Sequence, residues 1–181
     1  MRDNKLRSFK AAFGGIIAAL SIVFMFSTGI IPTLTYAIPA ICGALLMAIV
    51  IEISPAFASA IYVAVSVLSL LVVADKEAAV MYAAFFGYYP IIKSFIEKKA
   101  GQIASWIIKY AIFNVAMIAS YFIVAKVFMI SFDDIGFLGK WALPALLFVG
   151  NLVFALYDVA LTRLVTAYLV RWQKYIKRVF K

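Results

Sequence analysis

The 181-residue sequence has no histidine and a single cysteine, Cys42. Without imidazole the chain lacks the commonest general base, the commonest metal ligand and the side chain that titrates near neutral pH. A lone thiol excludes an internal disulfide and any cysteine metal cluster. Acids are scarce too, with eight aspartates and glutamates against 17 lysines and arginines, a net charge of +9. They are too scattered for an aspartyl dyad, which needs two carboxylates in contact. Also missing are a Ser/His/Asp set, an H-E-x-x-H pair, a Walker lysine after a glycine-rich loop and a Gly-x-Ser-x-Gly elbow. The expectation is a protein that is not an enzyme, uses no cofactor and does not hydrolyse ATP by itself.

Apolar residues dominate what remains. The chain is 67% hydrophobic with a mean hydropathy of +1.07, whereas a soluble domain is nearer half apolar. This composition describes an all-α, polytopic membrane protein. Roughly 20 apolar residues cross a bilayer as a helix, and six such helices fill the chain without room for a soluble domain. They are read at about 11–31, 35–51, 56–74, 78–96, 103–128 and 141–170, a single transmembrane domain over residues 1–181. Gly87-Tyr88-Tyr89-Pro90 predicts a kink in the fourth. The segment 131–140, with Gly136 and Gly139, is the longest loop. The first run is too long for a removed signal peptide and lacks a small-residue cleavage site.

Charge sets the expected topology. Residues 1–10 carry Arg2, Lys5, Arg7 and Lys10 against Asp3, a leader that holds its end of the helix in the cytoplasm. Six crossings then return the C-terminus to the same side. With both termini cytoplasmic, 14 of the 17 basic residues fall inside, and only Lys76, Lys126 and Lys140 fall outside. That bias is the positive-inside pattern. The basic charge is therefore read as topological, in contact with the lipid bilayer and not with nucleic acid, for which no module is present.

Polar groups at membrane depth carry the functional signal. Asn114, Asn151, Gly87 and Tyr88 each lie about ten residues into a helix, which at about 1.5 Å per residue is near the midplane. The two asparagines either join helices by hydrogen bonds or floor a ligand cavity. Pro144, Asn151 and Asp158 recur every seven residues and share a face. Asp158 needs a partner at its depth, and Lys109 and Lys93 are the expected ones in a structural ion pair. A proton or ion pathway is the other reading, although one acid makes a poor relay. At the outer ends Asp75, Lys76, Glu77, Asp133, Asp134, Tyr36, Tyr82, Tyr121, Lys126, Lys140 and Trp141 form either interface anchors or the mouth of a site for a small polar or zwitterionic nutrient. The 131–140 loop would be its lid.

The first helix adds a further pattern. Ala11, Gly14, Ala18 and Ser21 make one row of small residues, and Ala12, Gly15 and Ala19 make another beside it. Small rows let a second backbone approach closely. With the stretch Gly-Gly-Ile-Ile-Ala-Ala-Leu-Ser-Ile-Val at 14–23, six short-looped helices and a basic leader, the chain resembles the substrate-binding S components of energy-coupling-factor (ECF) transporters over nearly its whole length. In that family an Ala-x-x-x-Ala motif early in the first helix docks on the coupling subunit. The matching pairs are Gly14/Ala18 and Gly15/Ala19, with glycine in place of the first alanine. The substrate signatures of the better-known vitamin branches are missing, so the resemblance implies a role and names no ligand.

That role is uptake of a vitamin or other small nutrient across the plasma membrane of a prokaryotic cell. The resemblance implies a membrane coupling subunit and two ATPase subunits as partners. It also implies a ligand held between the outer halves of helices 4 to 6 and the loops over them; the polar residues read above supply the candidate binding residues, Tyr36, Tyr82, Tyr88, Asn114, Tyr121, Lys126, Lys140, Trp141 and Asn151. Three alternatives stand beside it: a non-transporting envelope scaffold resembling the small rod-shape proteins, a stand-alone exporter or channel, and an intramembrane enzyme. A filled interior among helices 4 to 6 would favour the scaffold.

Overall fold

The computed structural model describes residues 2–127 and 142–171. Every regular element among them is helical. The chain falls into two compact units, Met1–Gly139 and Lys140–Lys181.

In the first unit α1 spans Arg2–Thr28. It starts well before the apolar run, because the basic leader contains neither Gly nor Pro and Arg, Lys and Leu are good helix formers. It ends at Ser27 and Thr28, whose hydroxyls donate to the carbonyls of Phe24 (2.6 Å) and Met25 (2.8 Å) ahead of Gly29. A 3₁₀ turn, Pro32–Leu34, leads to α2, Ala37–Glu52. α3 covers Pro55–Val72, opened by Ser54, whose Oγ accepts from the Phe57 amide, and by Pro55 in the first turn. Both are favoured at a helix start. α4, Lys76–Met81, passes into a single π turn, Tyr82–Phe86, and resumes as α5, Tyr89–Lys99. α6 covers Gln102–Val127.

Among the described residues, five apolar helices are long enough to cross a membrane, within Arg7–Thr28, Pro55–Val72, Lys76–Lys99, Gln102–Val127 and Pro144–Arg171. α2 is apolar as well but has 16 residues, about 24 Å of helix, which is short of a typical hydrocarbon core of about 30 Å. Sequence reading treated it as an equal sixth span. The protein is thus a multi-pass, all-helical membrane protein.

Two contacts show that α1 and α3 run parallel. Gly14 lies against Phe57 and Ile61, and Gly29 lies against Ala74. α2 returns beside them, and the Cys42 thiol donates to the Ser21 carbonyl at 3.6 Å. Ile17, Met25, Cys42, Leu46, Val65 and Ala79 form the buried centre of this packing. In lipid such packing rests on close van der Waals contact, since the tails are as apolar as the side chains.

One end of the unit is tied by side chains. Asp75 caps α4, accepting from the Ala78 amide at 3.0 Å, and its other oxygen accepts from the Thr35 hydroxyl at 2.8 Å. The Tyr36 hydroxyl donates to Glu77, and Lys76 Nζ donates to the Leu70 carbonyl at 3.0 Å, closing the end of α3. Partial burial, followed by the Glu77 carboxylate it bonds and the Asp75 charge, raises the Tyr36 phenol above the usual tyrosine range. A raised phenol stays protonated, so its contribution is complete below the unfolded value and is lost only as pH rises through the folded one. Asp75→Ala is expected to cost about 1–2 kcal/mol by loss of the cap. Asp75→Asn should recover most of that in a denaturant titration in detergent.

In the second unit α7 spans Ala142–Arg171, about 45 Å of helix. The Asn151 amide donates to the Leu147 carbonyl at 2.7 Å, and the Thr162 hydroxyl donates to the Asp158 carbonyl at 3.0 Å.

Candidate functional site

Three features of the first unit carry chemical or interaction potential. The first is the π turn. Pro90 has no N–H to continue the helical ladder, and just before it the Gly87 amide bonds the Tyr82 carbonyl five residues back, at 2.8 Å. The ladder resumes where the Ile91 and Ile92 amides both bond the Tyr88 carbonyl. Such single π turns are common at functional sites. The kink expected at 87–90 is therefore a change of helix type that begins five residues earlier.

Tyr62 on α3 clamps the turn. Its hydroxyl donates to the Ala83 carbonyl at 2.6 Å, and its ring faces Tyr82 and Tyr88 at 6.2 and 6.0 Å. Gly87 is required here, because a Cβ would meet the Tyr62 ring at 2.5 Å. Below the clamp Phe85 stacks on Tyr89 at 4.8 Å and meets Phe113 of α6 edge-on at 5.2 Å. Tyr82, Phe85 and Tyr89 are fully buried. Offset and edge-on geometries of this kind are the favourable ones for aromatic rings, and here they fill the space between the α4–α5 rod and α6.

The second feature is a charge cluster of two buried lysines and a partly open glutamate near the α5–α6 turn. Glu97 Oε1 accepts from Lys93 Nζ at 2.7 Å and from Lys109 Nζ at 2.6 Å. The lysine side chains are 1% and 4% exposed, and the glutamate side chain is 40% exposed. Lys109 also sits 5.2 Å over the Trp106 ring, a cation–π distance. The sequence expectation pairs Lys93 and Lys109 with Asp158 and places Glu97 in a turn; the Glu97 contacts stand beside that expectation and do not replace it. Within the first unit the two lysines converge on Glu97. Asp158 lies on α7 in the second unit.

The third feature is on α1, whose two small rows differ. A Cβ on Gly14 would come within 2.6 Å of the Phe57 ring, and Ala18 packs on the buried core. A Cβ on Gly15 would meet nothing within 4 Å, and Ala19 is exposed. The Gly14/Ala18 row is thus engaged with α3, and the Gly15/Ala19 row is open.

The expected binding residues occupy several places. Tyr36 lies at the tied end, bonded to Glu77. Tyr82 was expected among the interface tyrosines at the start of a helix, but it is enclosed in the aromatic layer, where it and Tyr88 both face Tyr62. The Asn114 amide donates to the Tyr110 carbonyl of its own helix at 2.8 Å. Tyr121 meets Phe122 edge-on at 5.7 Å, and Lys126 lies 5.8 Å over the same Phe122 ring. Asn151 is on α7. Lys140, Trp141, Asp133, Asp134 and the 131–140 segment lie outside the described residues. Sequence reasoning passed over Tyr62 and Glu97. The signal for Tyr62 was a polar hydroxyl midway along an apolar helix, and for Glu97 its place four residues after Lys93, one turn along the same face.

No protein-family model matches the chain, and neither a curated protein nor a solved structure is significantly similar to it. What the fold and these features define is a class, the small multi-pass helical membrane proteins.

Proposed function

We propose that the protein is the membrane-embedded substrate-binding subunit of an ECF-type uptake transporter for a vitamin or other small nutrient. In this reading it lies in a prokaryotic plasma membrane with both termini in the cytoplasm. The observation that carries it is the open Gly15/Ala19 row of α1, beside a Gly14/Ala18 row already packed on α3. A helix that keeps small residues exposed at i and i+4 offers its backbone to another membrane helix. The coupling subunit would take that place, and two ATPase subunits would supply the energy. The asymmetry of basic residues supports the orientation, and the resemblance at 14–23 supports the role.

Ligand would enter from the side where Thr35, Tyr36, Asp75 and Glu77 tie the connections together, with Tyr121 and Lys126 at the end of α6. The filled aromatic layer of Phe85, Tyr89 and Phe113 favours a second reading, the envelope scaffold, which needs no cavity.

Affinity purification from native membranes separates the two. The transporter reading expects a coupling subunit, two ATPases and a small molecule identifiable by mass spectrometry. Gly15→Trp or Ala19→Trp is expected to abolish uptake and partner recovery while the small molecule is retained. Recovery of wall-synthesis enzymes without ATPases would replace the transporter with the scaffold. Equal loss of uptake and ligand in the tryptophan variants would reduce the open row to packing.

A further inference from the structure

The α5–α6 turn carries four lysines, Lys93, Lys98, Lys99 and Lys109, and one acid, Glu97, the only acid between Glu77 and Asp133. The structure disposes these charges unequally. Glu97 faces two buried lysines and accepts a hydrogen bond from each. Lys98 and Lys99, in the last turn of α5, are exposed. The carboxylate next to Lys98 in the chain is therefore engaged by the two inward lysines. Immediately along α6 the surface becomes apolar. Ile103 is 79% exposed and Ile107 66%, four residues apart on one face, with Trp106 partly buried beside them.

Exposed lysines in the last turn of α5, followed four residues after Lys99 by the first exposed isoleucine of α6, give the order of groups in a phospholipid, charge first and hydrocarbon next. We infer that the α5–α6 turn is a binding site for an anionic phospholipid, whose phosphate lies at Lys98 and Lys99 and whose acyl chain lies along Ile103 and Ile107. Charge complementarity selects the occupant. A zwitterionic lipid presents its phosphate together with a cation that the lysines repel, while a phosphatidylglycerol headgroup presents net negative charge alone. Each lysine near an anionic surface contributes about 1 kcal/mol, roughly fivefold in affinity. The site does not depend on the transporter reading and would exist equally in a scaffold.

Fluorescence quenching by brominated lipid tests this at the site itself. Trp106 is kept as the one tryptophan, with Trp141→Phe and Trp172→Phe, in the full chain reconstituted in phosphatidylcholine vesicles. At equal mole fraction, brominated phosphatidylglycerol is expected to quench Trp106 more strongly than brominated phosphatidylcholine, with a relative affinity at least tenfold higher. Lys98→Gln/Lys99→Gln should reduce the two lipids to equal quenching, and Lys10→Gln, at a distant exposed lysine, should leave the preference intact. Equal quenching in the parent protein overturns the proposal. A preference that survives the double exchange, or is lost equally in Lys10→Gln, also overturns it, since the attraction would then belong to the overall charge.

Discussion

Glu97→Ala is expected to lower stability in detergent by about 3 kcal/mol, the low end for breaking a buried ion pair. Two features set the size. Lys93 and Lys109 are almost wholly enclosed, at 1% and 4% exposure, so water does not fully replace the Glu97 contact for either ammonium. Glu97 itself is partly open, so water reaches the vacated position and keeps the cost from the upper end. Glu97→Gln keeps an acceptor oxygen but loses the charge, and should fall between alanine and the parent. Since Glu97 binds both lysines through one oxygen, the effects of Glu97→Ala and Lys109→Met should not add in a double-mutant cycle. Additive losses in an SDS unfolding titration would mean that the contacts are independent of each other.

Gly87→Val is the other large effect, with an expected loss of about 3 kcal/mol or more and a disturbed π turn. The cause is the inability of Tyr62 to yield. A Cβ at Gly87 would stand 2.5 and 2.7 Å from two atoms of that ring, and the ring is held at its far end by the bond to the Ala83 carbonyl. Gly14 provides the comparison. Its Cβ would also press on an aromatic ring, Phe57, at 2.6 Å, but that ring has no hydroxyl to fix it and can turn aside. Gly14→Ala should therefore cost about 1 kcal/mol, and Gly15→Ala, which meets nothing, about zero or a slight gain from helix propensity. The order Gly87, Gly14, Gly15 in thermal unfolding checks the argument. Restoration of Gly87→Val by Tyr62→Ala would confirm the source of the clash.

How much was legible in the sequence depends on what each feature rests on. The long spans were readable because α1, α3, α6 and α7 are each a run of apolar residues of sufficient length, a one-dimensional property. The start of α1 was not, since an apolar scale stops at Lys10 while helix propensity does not. The kink was visible through Pro90, but not the π turn, because nothing local says whether a proline is accommodated by a bend or by an extra residue in the preceding turn. The candidate site was legible only in part. Tyr36, Tyr82 and Tyr88 stood out as polar rings, yet which of them is surface and which is core depends on neighbours far along the chain.

Composition and the order of apolar runs determined by themselves that this is a helical, multi-pass membrane protein, because lipid leaves the backbone no choice but internal hydrogen bonding. The absence of histidine and the single thiol narrowed the chemistry at the same stage. Tertiary structure alone decided which small row of α1 faces α3 and which stays open, that Tyr62 holds the π turn, and that two lysines 16 residues apart share Glu97. Those outcomes follow from the rotation of each helix about its axis against its neighbours, and the apolar pattern of a lipid-facing helix says almost nothing about that rotation, since every side of it is apolar.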